Sequence, residues 1–452
     1  MGQAFKKTVC GAVQRFSNDL QTPPQPPDDP EGVPLLGIDI GDPWPYNHTE
    51  VSVIDSDGYV PQVQDASGKL ELIGATTDTP RVGAVRYGGL KGTIIEETRT
   101  NLCLYSENFS IAAWTKADVT PSYNSTAAPD GETTADTLGN NNSIIANVNQ
   151  TVALEDNEPY AVSVYVKAGT STAISLLLSG AAVRGQATFQ WSAGALTVKS
   201  EDVGAAYVRQ ITSDWWQAVL LVPANTVVAA DTNKVFITPT EWLVGGDTKT
   251  TIFWGAQVEK GLFATTYIKT TSAAVERAAD QLEKTGTSLG GNDTIYAVFE
   301  PEFEGADETN QRTVFCTQDA AGEDGTCVYH DPVTKTIAAD IDVGGIANTI
   351  DSTVAVERGK AYVVGVSVGD TAMPTNTLRL KILDISSGTR KTKGSTGDDP
   401  TTNSNIKIGT TDSAGNALCG VIRSLWTFPV QHTDNQMNDV IAWLARRAVV
   451  NS

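Results

Sequence analysis

Trp215 and Trp216 stand side by side, with Trp191 and Tyr207 in the same stretch and Trp242 a little further on. A sugar offers apolar C–H faces and dense hydroxyls. An aromatic ring beside planar polar side chains is the chemistry that holds one. Neighbouring side chains of a strand point to opposite faces, so the Trp pair predicts one ring in a core and the other on a surface. Trp215, Trp216, Trp191 and Tyr207 are the candidate carbohydrate-binding residues. Core packing is the commoner fate of such rings, and both readings stay open here.

Other chemistries find less support. The three histidines, His48, His330 and His432, sit in no triad pattern, and no GxSxG, HExxH or Walker motif occurs. A glycosidase needs two carboxylates at a fixed separation. Nothing nominates such a pair among the 53 acidic residues, so no catalytic residue is assigned and a non-enzyme is expected. Asp130 with Glu132, and Asp319 with Glu323 and Asp324, have oxygens that suit a structural Ca²⁺. Solvated acidic turns are the commoner reading, and no metal or other cofactor is assigned. Five cysteines, Cys10, Cys103, Cys316, Cys327 and Cys419, show no CxxC or Cys/His ligand spacing. Buried reduced thiols are expected. A hairpin disulfide between Cys316 and Cys327, which flank a turn-rich stretch, is the alternative.

The elements that must position these residues read mainly as strands. At 452 residues the chain is too long for one ordinary core. Thr, Ser, Gly, Asn and Val are abundant, which favours strands and turns. A net charge of −21 repels nucleic acid and anionic lipid, so neither is an expected partner. No apolar run approaches the ~20 residues of a membrane span. Met1–Leu20 lacks the apolar core of a signal peptide, which predicts synthesis in a cytoplasm.

Along the chain, Phe5, Val9, Val13, Phe16 and Leu20 fall on one face of an amphipathic helix. An isolated helix of this length is marginal in water, which predicts docking to a partner. A Pro-rich spacer completes residues 1–34 as an anchor. Residues 35–100 read as a small β-hairpin region. Residues 101–283 carry strand runs such as 160–167, 216–222 and 251–259, and predict a jelly roll. Residues 284–452 predict a second sandwich through runs such as 294–299, 361–368 and 421–428. A last helix follows, with Thr433 as N-cap, Gln436 completing a capping box, and Met437, Val440, Ile441 and Leu444 as its stripe. The expected class is all-β: two antiparallel β-sandwich (jelly-roll) domains with an N-terminal helical arm and a short C-terminal helix.

Residues from about 57 to 283 resemble a module of phage tail and virion proteins. The matching segments are 92–102 (GTIIEETRTNL), 105–109 (YSENF), 113–115 (AWT), 128–136 (APDGETTAD), 165–169 (YVKAG), 254–259 (WGAQVE) and 264–268 (ATTYI), in the family's order. Cys103 stands where the family more often has an aliphatic residue. Residues 284–452 resemble, less specifically, concanavalin A/laminin G-like sandwiches, through 295–299 (IYAVF) and 421–426 (VIRSLW). The resemblance implies a carbohydrate-binding-module-like jelly roll and a bacteriophage virion protein made in the host cytoplasm. The function it implies is a tail fibre or tail-associated adhesin for host-surface glycans, held to other virion proteins by the arm. Avidity through a homo-oligomer, a trimer, goes with that reading. A capsid decoration or head-fibre protein is the alternative, and a polysaccharide-degrading enzyme a third.

Overall fold

The computed structural model describes residues 36–39, 52–54, 62–64, 70–72, 82–85, 91–244, 248–284, 293–317, 325–343, 346–369, 377–385, 390–396, 406–411, 416–428 and 431–450. The proposed arm with Phe5, Val9, Val13, Phe16 and Leu20 lies outside these residues, as do the Pro-rich spacer, Cys10 and His48. The expected all-β class holds. The described residues form antiparallel sheets packed as two sandwiches, with one C-terminal helix.

The first sandwich is the jelly-roll region. One six-stranded sheet runs Ala205–Gln210, Trp215–Val222, Tyr160–Lys167, Thr250–Lys260, Ala135–Asn140 and Val119–Thr126. Its partner runs Ala195–Val203, Val183–Ser192, Ala173–Ser179, Lys234–Thr238, Asn147–Thr151 and Thr115–Ala117. Strand alternation decides what faces the core between them. Tyr160, Val162, Val164 and Val166 point inward, against Leu176, Phe189, Leu220 and Phe253. Ala161 and Tyr165 point to the other face, yet they are buried too. That face is covered by the segments around 101–107 and 261–270. A strand covered on both sides reads as a continuous apolar run, which is why 160–167 is so plain in the sequence.

Thr250–Lys260 alternates until Gly255, where the register against Tyr160–Lys167 shifts. Gly255 has φ +62°. It is the extra residue of a β-bulge, in a conformation that glycine adopts without penalty. The bulge lets Phe253, Ala256 and Val258 all reach the core while Trp254, Gln257 and Glu259 face outward.

The second sandwich draws on both ends of the chain. In one sheet, Gly420–Phe428 pairs Thr294–Pro301 along one edge. Its other edge is shared end to end by Leu36–Asp39 and Lys91–Ile95. In the facing sheet Ser52–Ile54 pairs Gln281–Lys284. The stretch 35–100 therefore contributes strands to the second sandwich besides its own hairpin, Gln62–Gln64 with Leu70–Leu72. The jelly roll leaves the second sandwich after Ile95 and returns to it at Gln281.

The helix Asp434–Val450 lies on the outer face of the first of these sheets. Met437, Val440, Ile441, Trp443 and Leu444 pack against Tyr296, Val363 and Trp426. The capping box forms as expected. The Gln436 side-chain oxygen accepts from Thr433 N and Thr433 Oγ1 at 2.8 Å each, and Gln436 N donates to Thr433 Oγ1 at 3.4 Å.

Candidate functional site

The candidate aromatics are dispersed and covered. Trp215 and Trp216 do point to opposite faces, but neither is an open platform. Trp215 is 3% exposed and packs on the outer face with Tyr165, Trp254 and Tyr267. Trp216 is half-buried and faces the inter-sheet core, as does half-buried Trp191. Both lie near the 168–172 connection: Trp216 is opposite Val166, and Trp191 N donates to Thr172 O at 3.0 Å. Tyr207 is half-buried beneath the guanidinium of Arg358, 4.5 Å from the ring centre, and its hydroxyl accepts from Ala264 N at 3.0 Å. The expectation of one free indole fails because the outer face of its sheet is itself covered by chain.

The segments that carry the family resemblance turn out to staple that cover in place. Asn101 Nδ2 donates to Ala256 O at 3.1 Å and Ile268 O at 2.8 Å. Its Oδ1 accepts from Cys103 N at 3.0 Å and Val258 N at 3.2 Å. Glu259, buried, accepts from Thr265 N at 2.9 Å and Thr265 Oγ1 at 2.7 Å, and Gln257 Oε1 accepts from Ile268 N at 2.7 Å. Burial pushes the Glu259 carboxyl above its ordinary pKa. Asp136 takes Phe109 N at 2.9 Å and Asn124 N at 2.8 Å. These polar residues serve the backbone of neighbouring segments, as buried polar groups must.

The two sandwiches meet through buried charge and one ring. Glu96 and Arg277 form an ion pair of 2.9 Å, and Thr266 donates to Glu96 from N at 2.8 Å and Oγ1 at 2.6 Å. Arg209 reaches Glu302 at 3.3 Å. Phe263, from the cover of the jelly roll, sits in the core of the second sandwich among Phe299, Phe303 and Ile95. The guanidiniums of Arg99 and Arg312 lie 4.7 and 5.7 Å from its ring centre.

Beside this joint opens a cleft of about 530 Å³, walled by both sandwiches. Glu97 binds Arg99 and Arg312 at 2.5 Å each, and Arg312 also holds Glu308 at 2.9 Å. Across the cleft Lys260 binds Glu155 at 2.8 Å and Glu158 at 2.9 Å. Burial opposes ionisation of Glu97, but Arg99 and Arg312 outweigh it and hold the carboxyl below its ordinary range. Hydrogen bonds to Glu155 and Glu158 hold the Lys260 ammonium above its ordinary value. The rim carries exposed Thr98, Thr309 and Asn310. No single stretch of sequence points to this cleft, since its walls come from four distant segments. The one local signal is the charge cluster Glu96-Glu97-Thr98-Arg99 inside the family-like segment.

The remaining candidates are structural. His432 is buried, with Nδ1 2.7 Å from the Tyr296 hydroxyl. His330 is buried against Gly305 O at 3.1 Å, and burial lowers its pKa. Burial pushes the Cys103 and Cys419 thiols up, so neither is a ready nucleophile. The expectation of reduced thiols is corrected at Cys316 and Cys327. They stand opposite each other on adjacent strands and are disulfide-bonded, because the hairpin register brings their Cα atoms to 4.1 Å. Asp130 caps its own turn by accepting from Glu132 N at 3.0 Å. Asp319, Glu323 and Asp324 lie outside the described residues. Among the described residues no three His, Cys, Asp or Glu side chains converge as a metal-holding group, and no helix is long and apolar enough to cross a membrane.

The fold defines the chain as a tandem antiparallel β-sandwich protein. No protein-family model matches its sequence, and no curated protein matches it. Among solved structures it is similar to the CBM40 of Ruminococcus gnavus IT-sialidase bound to alpha2,3 sialyllactose. That match has 13% identity and a TM-score of 0.27, and covers 34% of this chain and 83% of that one. It is similar to the LG4-5 domains of the mouse laminin alpha1 chain, with 13% identity, a TM-score of 0.23, and coverage of 65% and 88%. It is also similar to a tail fiber protein of an E. coli phage, with 7% identity, a TM-score of 0.21, and coverage of 75% and 41%. The fold rests on the sheets described above.

Proposed function

We propose that the chain is a bacteriophage virion protein that binds: a tail fibre or tail-associated adhesin whose sandwiches present a surface to host glycans. One observation supports binding over catalysis above the rest. Each of the seven ionisable Glu, Arg and Lys side chains lining the inter-sandwich cleft is held in an ion pair with another. A glycosidase needs one carboxyl kept protonated by a raised pKa beside a second one. Glu97 is shifted the opposite way. The virion context comes from the resemblance of residues 57–283 to phage modules. In this reading residues 1–34 dock to another virion protein, and the body assembles as a homotrimer.

The test is to label intact particles with antibody-gold and to delete residues 1–34. Label at the tail, with a folded truncated body that no longer joins particles, supports the reading. Label spread over the shell replaces it with capsid decoration. A truncated chain that still assembles removes the anchor.

A further inference from the structure

We infer that the cleft between the sandwiches is a binding site for a short neutral saccharide, of mono- or disaccharide size. The inference rests on the reading of the chain as a binding protein, and it assigns the ligand class to one place.

A volume of about 530 Å³ falls within the range of small-molecule sites. The charges of the walls exclude most other ligands of that size. Glu97, Glu155, Glu158 and Glu308 stand against Arg99, Lys260 and Arg312, which leaves a lining of −1 (four acids, three bases) in a chain of −21. An anion, a sialylated or phosphorylated sugar included, meets net repulsion there and must break an existing pair to gain a cation. A cation meets carboxylates that are already held. The buried pairs around Arg312 are costly to break. What remains is a ligand without net charge.

Groups that bind hydroxyls are in place. Thr98, Thr309 and Asn310 stand exposed on the rim, with Thr100 further in. The Thr100 hydroxyl and the Asn310 side-chain amide make no hydrogen bond among the described residues. Leu102, Leu262 and Pro159 supply apolar surface for the C–H faces of a ring. Thr309 and Asn310 belong to the second sandwich, and Glu158 and Pro159 to the jelly roll. Neither sandwich holds the site alone. Phe263, fixed in the core of the second sandwich, sets the distance between the two walls.

The experiment is ligand-observed saturation-transfer NMR on the full chain. The probes are lactose, maltose and cellobiose, with 3′-sialyllactose as the charged control, each at about tenfold above a millimolar dissociation constant. The cleft is blocked by Asn310→Trp, an exposed position outside any strand, and independently by Thr98→Trp. At least one neutral disaccharide is expected to bind, 3′-sialyllactose is not, and the blocking variants weaken binding at least about tenfold. Failure of every neutral sugar overturns the inference, as does equal binding by the blocked variants. If one variant fails to fold, the other decides. Host-cell adsorption by the full chain is measured in parallel. If it is retained in both blocked variants, the adhesin reading stands and the cleft is not its site. If the unmodified chain does not adsorb, the adhesin reading fails whatever the sugars do.

Discussion

The ring of Phe263 lies 4.7 Å from the guanidinium carbon of Arg99, inside the core of a sandwich to which most of its neighbours in sequence do not belong. This contact joins the two halves of the molecule. Arg99 is in turn paired with Glu97, Glu97 with Arg312, and Arg312 with Glu308, so the ring is roofed by a charge network of two acids and two bases that neutralises itself.

Phe263→Ala is expected to cost about 3–5 kcal/mol, as for other fully buried aromatics, and to uncouple the sandwiches. Calorimetry reads this as one thermal transition separating into two, and limited proteolysis as new cleavage near 261–280. A variant that melts in one step at an unchanged temperature would remove Phe263 as the joint.

Gly255→Ala tests the bulge. A Cβ there would stand 2.9 Å from a carbon of the Tyr165 ring and 3.2 Å from one of Tyr267, at a backbone φ of +62°. The left-handed conformation costs an L-residue about 1–2 kcal/mol, and displacing packed rings adds about 1–3 kcal/mol. A lowered urea midpoint with unchanged slope is expected. No change in midpoint would mean that the rings yield freely.

The strands most legible in the sequence are those buried on both faces, where apolar residues run without interruption. Thr294–Pro301, Gly420–Phe428 and Tyr160–Lys167 are cases. Edge strands such as Ala195–Val203 are half polar and carry no such signal. Nor did the sequence show that Lys91–Ile95 pairs with Gly420–Phe428, because pairing across more than 300 residues leaves no local trace. For the Trp pair, strand alternation shows the opposite directions of the two rings but not their exposure: alternation is local, whereas the cover over Trp215 is tertiary. The cleft escaped for the same reason, as Glu97, Glu155, Lys260 and Asn310 come together only after folding.

Trp215 and Trp216 are expected to behave alike in sign and unlike in size. Trp215→Ala removes a buried ring from the cluster with Trp254 and Tyr267, at about 3–5 kcal/mol. Trp216 is half-buried, and Trp216→Ala is expected to cost less than that, while remaining clearly destabilising. Urea unfolding of both variants checks this. A neutral Trp216→Ala would show that the ring adds nothing to the core it faces.

Glu97 gives the joint a pH dependence whose sign follows from its shift. Its native carboxyl holds a proton less tightly than the ordinary value of 4.5, because Arg99 and Arg312 outweigh the burial that opposes its charge. The unfolded chain therefore binds the proton more readily. The stabilisation is fully present above about pH 4.5 and is lost as pH falls through the lower native value. Glu259 acts with the opposite sign: burial raises its pKa, so its charged form costs stability as pH rises. A comparison with Glu97→Gln separates the two, since Glu259 is common to both proteins. The variant lacks the carboxylate at every pH and leaves Arg99 and Arg312 short of a partner. It is expected to lose about 3 kcal/mol at neutral pH, in the range for breaking a buried pair. The gap to the parent should then narrow below pH 4.5. Urea midpoints taken across that window measure the gap directly. A gap that stays constant with pH would mean that Glu97 does not titrate against its two arginines.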